Sequence, residues 1–513
     1  MMRSSNRDRT DPSVVPEQVW IQRGQDRALA VFRRAARGVP AYRAFLKEHG
    51  VRLRDIRTFE DFQQLPTTSK EGYLLKHDLA ELMPGGKLDG TRVFATSSGS
   101  TGQPIFWPRL KRQDDGALRG IQAYYSLFDI NRKSTLLLMT LSLGMHIAGQ
   151  YMTELSLRVA RMPGNRLTVV TPGCSVVEDS LELVKHLSPR FDQTLILAYP
   201  SFAQRLVAAG TDWGVSWQEL NAFLMTGGES YSEGWRSLMV ERLGCLPHPM
   251  RVCGVYGTSD GGGIMGFETP FSILGRQLAH QREDIRRCLF DGRLEAAFVQ
   301  FNPMARYFEE VNGELTLTCW QAVPLIRYAL HDAGDVMPFS MVTKRLRSCD
   351  ADPEVLLRAR GVAPQHIWQW PFLSCFGRSD GAVSVAAANV YPHMLQHVFA
   401  AHREVSHYKL AVEGSGGIEN RFIVYVELAE RTKLTDDART KLERMLHDEV
   451  VTTLSRSSSE YRESLVEAAE VADPSIVLVP YGSGLFAADA GRQKRSYLHK
   501  GSVADQHSEG ESR

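Results

Sequence analysis

The chain has 513 residues, 43% of them hydrophobic and 23% charged, and carries a formal net charge of +1 at pH 7. That composition is ordinary for a soluble globular protein, and the length exceeds one small core, so a large unit plus at least one smaller one is expected. The near-neutral balance excludes an electrostatic case for nucleic acid or an anionic membrane as partner.

Met1 to Thr10 are too polar and charged for the apolar core of a secretory signal. From Pro16 to Gly50 apolar residues recur at helical intervals (Val19, Leu29, Phe32, Phe45), with Arg33, Arg34 and Arg37 read as the solvated face. Next comes Thr96-Ser97-Ser98-Gly99-Ser100-Thr101-Gly102-Gln103-Pro104, entered from Val93-Phe94-Ala95 and left through Ile105-Phe106. Glycines let a backbone approach a polyphosphate closely, while hydroxyls and N–H groups donate to its oxygens. Alone, such a loop is more often a plain turn, and no Lys-Ser/Thr pair closes it as in a P-loop.

Thr135–Leu141, Leu167–Thr171, Thr194–Leu197, Ala222–Met225 and Arg251–Val255 read as short buried strands. Between them Val177–Leu187, Phe202–Ala209 and Trp235–Leu243 read as amphipathic helices. This alternation predicts an α/β fold, parallel sheets covered by helices, with ligands beyond the carboxyl ends of the strands. The longest uncharged apolar stretch, Leu136–Gly149, falls short of the roughly 20 residues a membrane helix needs. It reads as a strand running into a glycine-containing loop.

Gly313–Thr318 and Leu325–Tyr328 read as a further strand pair, whereas Arg345–Trp368 has no clear period and reads as a surface insertion. A polar turn at Gly377–Gly381 marks a boundary. Beyond it Val383–Ala388, Phe422–Leu428 and Ile476–Val479 read as strands and Asp436–Leu454 as a helix; Gly501–Arg513 reads as a disordered tail. The seven cysteines are scattered and never form a C-x-x-C pair, which argues against disulfides or zinc and suits a reducing cytoplasm.

Four phrases in fixed order, with the Leu65-Pro66-Thr67-Thr68-Ser69-Lys70 segment before them, resemble the adenylate-forming superfamily, its phenylacetate–coenzyme A ligase-like branch in particular. Ser97, Ser98, Gly99, Ser100, Thr101 and Gly102 match the family's phosphate loop S-S-G-T-T-G-K-P, with Gln103 in place of its lysine. Thr226-Gly227-Gly228-Glu229 resembles the G-A-E segment that packs on adenine and borders the acyl pocket. Tyr256-Gly257-Thr258-Ser259-Asp260 resembles Y-G-x-[ST]-E: the aromatic stacks on adenine, the hydroxyl meets the α-phosphate, and the carboxylate helps hold Mg²⁺. Aspartate here is one methylene shorter than the usual glutamate, and Glu268-Thr269 stands where some relatives carry a metal-site cysteine.

Arg327-Tyr328 followed by Gly334-Asp335 resembles Y-R-T-G-D with lengthened spacing, which makes Asp335 the expected acceptor of the ribose hydroxyls. Phe376-Gly377-Arg378-Ser379-Asp380 matches the G-R-x-D hinge, Arg378 reaching ribose or phosphate and Asp380 serving as pivot. Lys494 resembles the C-terminal catalytic lysine, with Lys500 as the other candidate. His146, Tyr199 and Gly254 are candidates for the acyl pocket.

The resemblance implies a large adenylate-binding domain over residues 1–378, a smaller mobile α+β domain over 379–500 that carries the lysine, and a tail over 501–513. It implies ATP-dependent activation of a carboxylic acid, aryl or hydrophobic in character, to an acyl adenylate and transfer to coenzyme A, with Mg²⁺ and, by family likeness alone, a homodimer. Two alternatives stay open: transfer to an amine or a carrier-protein thiol, and a non-catalytic nucleotide-binding scaffold.

Overall fold

A computed structural model describes residues 11–96, 105–110, 114–141, 143, 147–174, 176–228, 231–293, 297–378, 383–385, 388–413, 421–458, 461–462, 465, 469–489 and 495–498. The chain divides into two compact units, Met1–Glu233 with Met239–Phe376, and Gly234–Leu238 with Gly377–Arg513.

The strands of the first unit, in chain order, are β1 (Thr91–Thr96), β2 (Phe106–Leu110), β3 (Thr135–Thr140), β4 (Leu167–Val170), β5 (Gln193–Ala198), β6 (Ala222–Gly227) and β7 (Val252–Thr258). They continue with β8 (Gly263–Phe267), β9 (Ala297–Gln300), β10 (Tyr307–Val311), β11 (Glu314–Cys319), β12 (Leu325–Met337) and β13 (Phe372–Arg378). Among the described residues eleven of them form one sheet in the order β10-β11-β12-β13-β9-β8-β7-β6-β5-β3-β4. The block β4-β3-β5-β6-β7 is parallel, as the alternation of apolar strands and amphipathic helices predicts. Every residue of β3, β5 and β6 is buried, because helices cover both faces of a parallel sheet and leave no position for a polar face. From β7 onward the neighbours β7–β8, β8–β9, β9–β13, β10–β11 and β11–β12 run antiparallel.

The helix Glu17–Gly38 buries Trp20, Gly24, Ala28, Val31, Phe32 and Ala35. Phe32, Tyr42, Phe45 and Phe62 share a core cluster with Phe308, Leu315, Leu317 and Tyr328 of β10–β12. Arg33 donates to the Arg57 carbonyl, while the Arg34 guanidinium lies 3.7 Å over the Trp320 ring, so part of the expected solvated face packs on neighbours.

The reading of Arg345–Trp368 as a surface insertion is not what the fold shows. Helices Phe339–Arg347 and Pro353–Ala359 pack Leu346, Ala351, Leu357 and Val362 against Phe271, Leu274 and Phe372, and Trp368 lies buried with its ring 4.8 Å from that of Trp370. Two short helices separated by a turn carry too few turns each to show a period, yet each buries one side.

In the second unit β14 (Val383–Val385) and β15 (Ala388–Val390) form an antiparallel pair where one continuous strand was expected. β16 (Val405–Glu413), β17 (Arg421–Leu428) and β18 (Ser475–Val479) form a three-stranded sheet, with the helix Asp436–Ser457 in the place the sequence predicts. Residues 495–498 are tied to this sheet. Leu410 N–H donates to the Tyr497 carbonyl at 2.8 Å, and Leu410 bridges to Leu498. Buried Lys409 pairs with Asp489 at 2.5 Å and Arg495 pairs with Glu427, so both flanks of the 490–494 stretch are held.

Among the described residues no helix is long and apolar enough to cross a membrane, and all seven cysteines are free thiols.

A pH-dependent contribution to stability comes from His248, just before β7. Its Nδ1 accepts the Met250 N–H at 3.0 Å, and its ring meets the Phe223 ring edge-on at 5.0 Å. Burial, then the nearby Arg251 charge, pushes its pKa from 6.5 down to about 4. The unfolded chain therefore takes up this proton first. Stability is fully present above the ordinary histidine range and falls as pH drops from 6.5 toward about 4. In urea titrations the midpoint should decline across that window, and His248→Leu should flatten the decline. An unchanged slope in the variant removes His248 as its source.

Candidate active site

The carboxyl ends of β5, β6 and β7 are neighbours in register, Ala198 opposite Thr226 and Gly227 opposite Val255. They bring Tyr199, Gly228 and Tyr256 to one edge of the sheet, where α/β folds bind ligands. Tyr199 stands immediately before the helix Pro200–Asp212, in extended backbone. Gly228 sits at φ +81°, and a Cβ there would lie 2.7 Å from the Tyr199 ring, so only glycine admits this approach.

Past β7 the chain turns through Ser259-Asp260-Gly261-Gly262 into β8. The turn is held from outside. Thr258 Oγ1 accepts the Gly261 N–H at 2.9 Å. Gln321 Nε2 donates to the Asp260 carbonyl at 2.7 Å, Arg306 Nε to the Gly261 carbonyl at 2.8 Å, and Arg109 to the Gly262 carbonyl at 3.2 Å.

Two tyrosine–aspartate pairs then cross between this region and β12. The Tyr256 hydroxyl donates to Asp332 Oδ2 at 2.5 Å, and the Tyr328 hydroxyl donates to Asp260 Oδ2 at 2.7 Å. Each segment supplies one tyrosine and, four residues on, one aspartate. On β12 each member follows a residue held at positive φ, Arg327 at 44° and His331 at 56°. For side chains with a Cβ that conformation costs on the order of 1–3 kcal/mol, and it re-aims the residue that follows. The Thr67-Thr68 segment braces the first of these points. Thr68 N–H donates to the Arg327 carbonyl at 3.1 Å, and Ala329 N–H donates to the Thr68 carbonyl at 2.8 Å.

Behind β7 lies a charged cluster that sequence reasoning did not identify. Glu268 Oε2 accepts the Gly254 N–H and the Tyr231 hydroxyl, both at 2.6 Å. Arg276 donates to Glu268 Oε1 at 2.7 Å, approaches Glu233 Oε1 at 3.0 Å and donates to the Tyr231 carbonyl at 2.8 Å. All four side chains are buried. The helix Pro270–Gln281 that carries Arg276 starts from a capping box, Thr269 and Ser272 each accepting the other's N–H, with proline at the first helical position. A Cβ on Gly254 would lie 2.8 Å from the Tyr231 hydroxyl, so β7 needs glycine where the cluster is closest. No local pattern marks Glu268 as a buried ion; the arginine that neutralises it lies two turns along the next helix.

Of the residues the sequence singled out, Tyr199, Gly228, Gly254, Tyr256, Gly257, Thr258, Ser259 and Asp260 fall on this one sheet edge and its turn. Asp335 does not share the Tyr256 contact. Its Oδ1 accepts the Val336 N–H at 2.7 Å, and it stands three positions from Asp332, an odd offset that turns the two to opposite faces of β12. The missed signal is a spacing: Tyr328 and Asp332 stand four apart, as tyrosine and aspartate do in Y-R-T-G-D. Arg378 ends β13 in the backbone. Ser97, Ser98, Gly99, Ser100, Thr101, Gly102, His146, Glu229, Asp380, Lys494 and Lys500 lie outside the described residues; the first six fall in sequence between β1 and β2, whose residues Thr96 and Phe106 are opposite each other.

The large helix-covered sheet and the smaller sheet of the second unit match the fold of adenylate-forming enzymes. In sequence the chain is similar to phenylacetate–coenzyme A ligase of Thermus thermophilus, 25% identical over 409 residues that span 74% of this chain and 75% of that protein. Among solved structures it is similar to 2-hydroxyisobutyryl-CoA ligase in the postadenylation state (TM-score 0.64, 14% identity, 98% of this chain and 90% of that one). It is also similar to the GH3.15 acyl acid amido synthetase (TM-score 0.51, 13% identity, 93% and 89%). No protein-family model matches the chain. These likenesses bear out the resemblance to the phenylacetate–coenzyme A ligase-like branch of the adenylate-forming superfamily.

Proposed function

We propose that the chain is an AMP-forming acid–thiol ligase that activates an aryl or hydrophobic carboxylic acid with ATP and passes the acyl group to coenzyme A. The observation that carries this reading is the crossed pairing of Tyr256 with Asp332 and Tyr328 with Asp260. Tyr256 would stack on adenine, Asp332 would meet the ribose and Asp260 would face a metal, and the pairing keeps these side chains together. In this reading Asp332, not Asp335, accepts the ribose hydroxyls, because it is the aspartate beside the adenine-stacking tyrosine.

In the first half-reaction a substrate carboxylate oxygen bonds to the α-phosphorus as the bond to pyrophosphate breaks. Catalysis of such a step rests on positioning and charge stabilisation rather than on a general base. Ser97 to Gly102 would hold the departing diphosphate, Thr258 and Ser259 would donate to the α-phosphate, and Lys494 would bridge carboxylate and phosphate. Mg²⁺ fits the donor set. Asp260 offers a hard carboxylate oxygen on a partly exposed residue, which would help hold the ion where it would neutralise phosphate charge. Residues 379–500, turning at Asp380, would exchange the lysine for a thiol-admitting face between the half-reactions.

The acyl group would lie beside Tyr199, an aromatic setting suited to a hydrophobic acid. ATP–pyrophosphate exchange across a panel of carboxylic acids tests the reading. Exchange is expected with aryl or branched apolar acids, and added coenzyme A should yield a thioester where added amines yield no amide. Nucleotide binding without exchange for any acid overturns the activity, and amide formation reassigns the acceptor.

A further inference from the structure

We propose that Tyr328 is a positioning residue for the Asp260 carboxylate, its hydroxyl setting the direction in which Asp260 meets a nucleotide-bound divalent cation. This rests on the adenylation reading above. A lone aspartate on a glycine-rich turn is a poor metal ligand, because the turn and the side chain can both swing; here neither is left to do so. The Asp260 carbonyl is held by Gln321, and the next two carbonyls by Arg306 and Arg109. The hydroxyl that donates to Oδ2 belongs to a ring 1% exposed, packed in the core cluster with Phe308 and Leu317. The backbone beneath that ring is bracketed by Thr68 on both sides, at 3.1 and 2.8 Å, and follows the positive φ of Arg327. A rigid donor therefore faces a rigid turn.

The shorter side chain makes this support matter. Aspartate has one torsion fewer than the glutamate of the related motif, so its reach is set almost wholly by backbone position and by what its oxygens bond. Outer partners of this kind commonly carry a substantial share of a metal site's affinity.

The test measures Mn²⁺ binding, by paramagnetic relaxation of water protons, to the full chain with α,β-methylene-ATP. Tyr328→Phe keeps the ring and removes the donor. It should weaken Mn²⁺ about tenfold, the scale of one hydrogen bond to a charged group. Asp260→Asn should weaken it at least as much, and Tyr328→Phe should add nothing in the Asp260→Asn background. Wild-type Mn²⁺ affinity in Tyr328→Phe overturns the proposal. So does equal weakening by Tyr328→Phe in both backgrounds, which marks a general loosening of the core, with a lowered thermal midpoint as its companion. Failure of the wild-type chain to bind the metal–nucleotide at all overturns the nucleotide reading itself. Absence of exchange with every acid while Mn²⁺ behaves as described overturns the activity alone.

Discussion

Arg276→Met should lower the stability of the first unit by about 3–5 kcal/mol, the usual cost of removing one partner from a buried ion pair. Arg276 stands between Glu268 and Glu233, with side chains only 1%, 1% and 3% exposed. Methionine fills much of the volume but leaves two carboxylates facing each other away from water. Glu268 would keep its hydrogen bonds from Gly254 and Tyr231, so the loss is of charge compensation rather than of all partners. The measurement is the urea midpoint of the transition that reports on the first unit, followed by tryptophan fluorescence. The double variant Glu268→Gln with Arg276→Met should recover part of the loss, since it removes one uncompensated charge. A midpoint within about 0.5 kcal/mol of wild type, the range of ordinary surface substitutions, would sink the claim that the cluster holds β7 in place.

Asp332→Ala should weaken ATP binding by about 100-fold, while Asp335→Ala should stay within about threefold of the unaltered chain. Two charge-assisted hydrogen bonds from ribose hydroxyls, each contributing on the order of 1.5 kcal/mol, give that scale. Calorimetric titration with ATP reads it directly, and the KM for ATP in pyrophosphate exchange should move in parallel. Tyr256→Phe separates the two jobs of the pair. It keeps the ring for adenine and removes only the donor to Asp332, so it should cost far less than Asp332→Ala. The reverse order of effects at 332 and 335 restores the assignment made from motif spacing.

Both predictions turn on residues whose importance is set by distant partners. Tyr256 and Asp332 are 76 positions apart and Asp260 and Tyr328 are 68 apart, so no local pattern couples them. By contrast β3, β5 and β6 were legible because strands buried on both faces are mostly apolar, and a run of apolar residues is visible without knowing its neighbours. The antiparallel pair β11–β12 was legible for a related reason, a few residues separating the alternating run Leu315–Thr318 from the apolar run that opens at Leu325. β16 was missed: His407 and Lys409 interrupt its apolar run, and both prove buried because Lys409 is neutralised by Asp489 and His407 bonds the Ser496 carbonyl.

The first three phrases were likewise visible in the sequence, since each is a strand end followed by glycine with hydroxyl or acidic residues, and that chemistry is local. What the sequence determined alone is therefore the class of fold, the strands β5, β6 and β7 with their glycine-rich ends, and the turn after β7. Only the tertiary structure decided which aspartate of β12 faces Tyr256, that Glu268 is a buried ion, and that Arg345–Trp368 is core. Strand and helix patterns follow from whether a residue meets water or its near neighbours. The meeting of a donor with an acceptor across the molecule, or of a carboxylate with its counter-charge, follows from packing that no stretch of chain contains by itself.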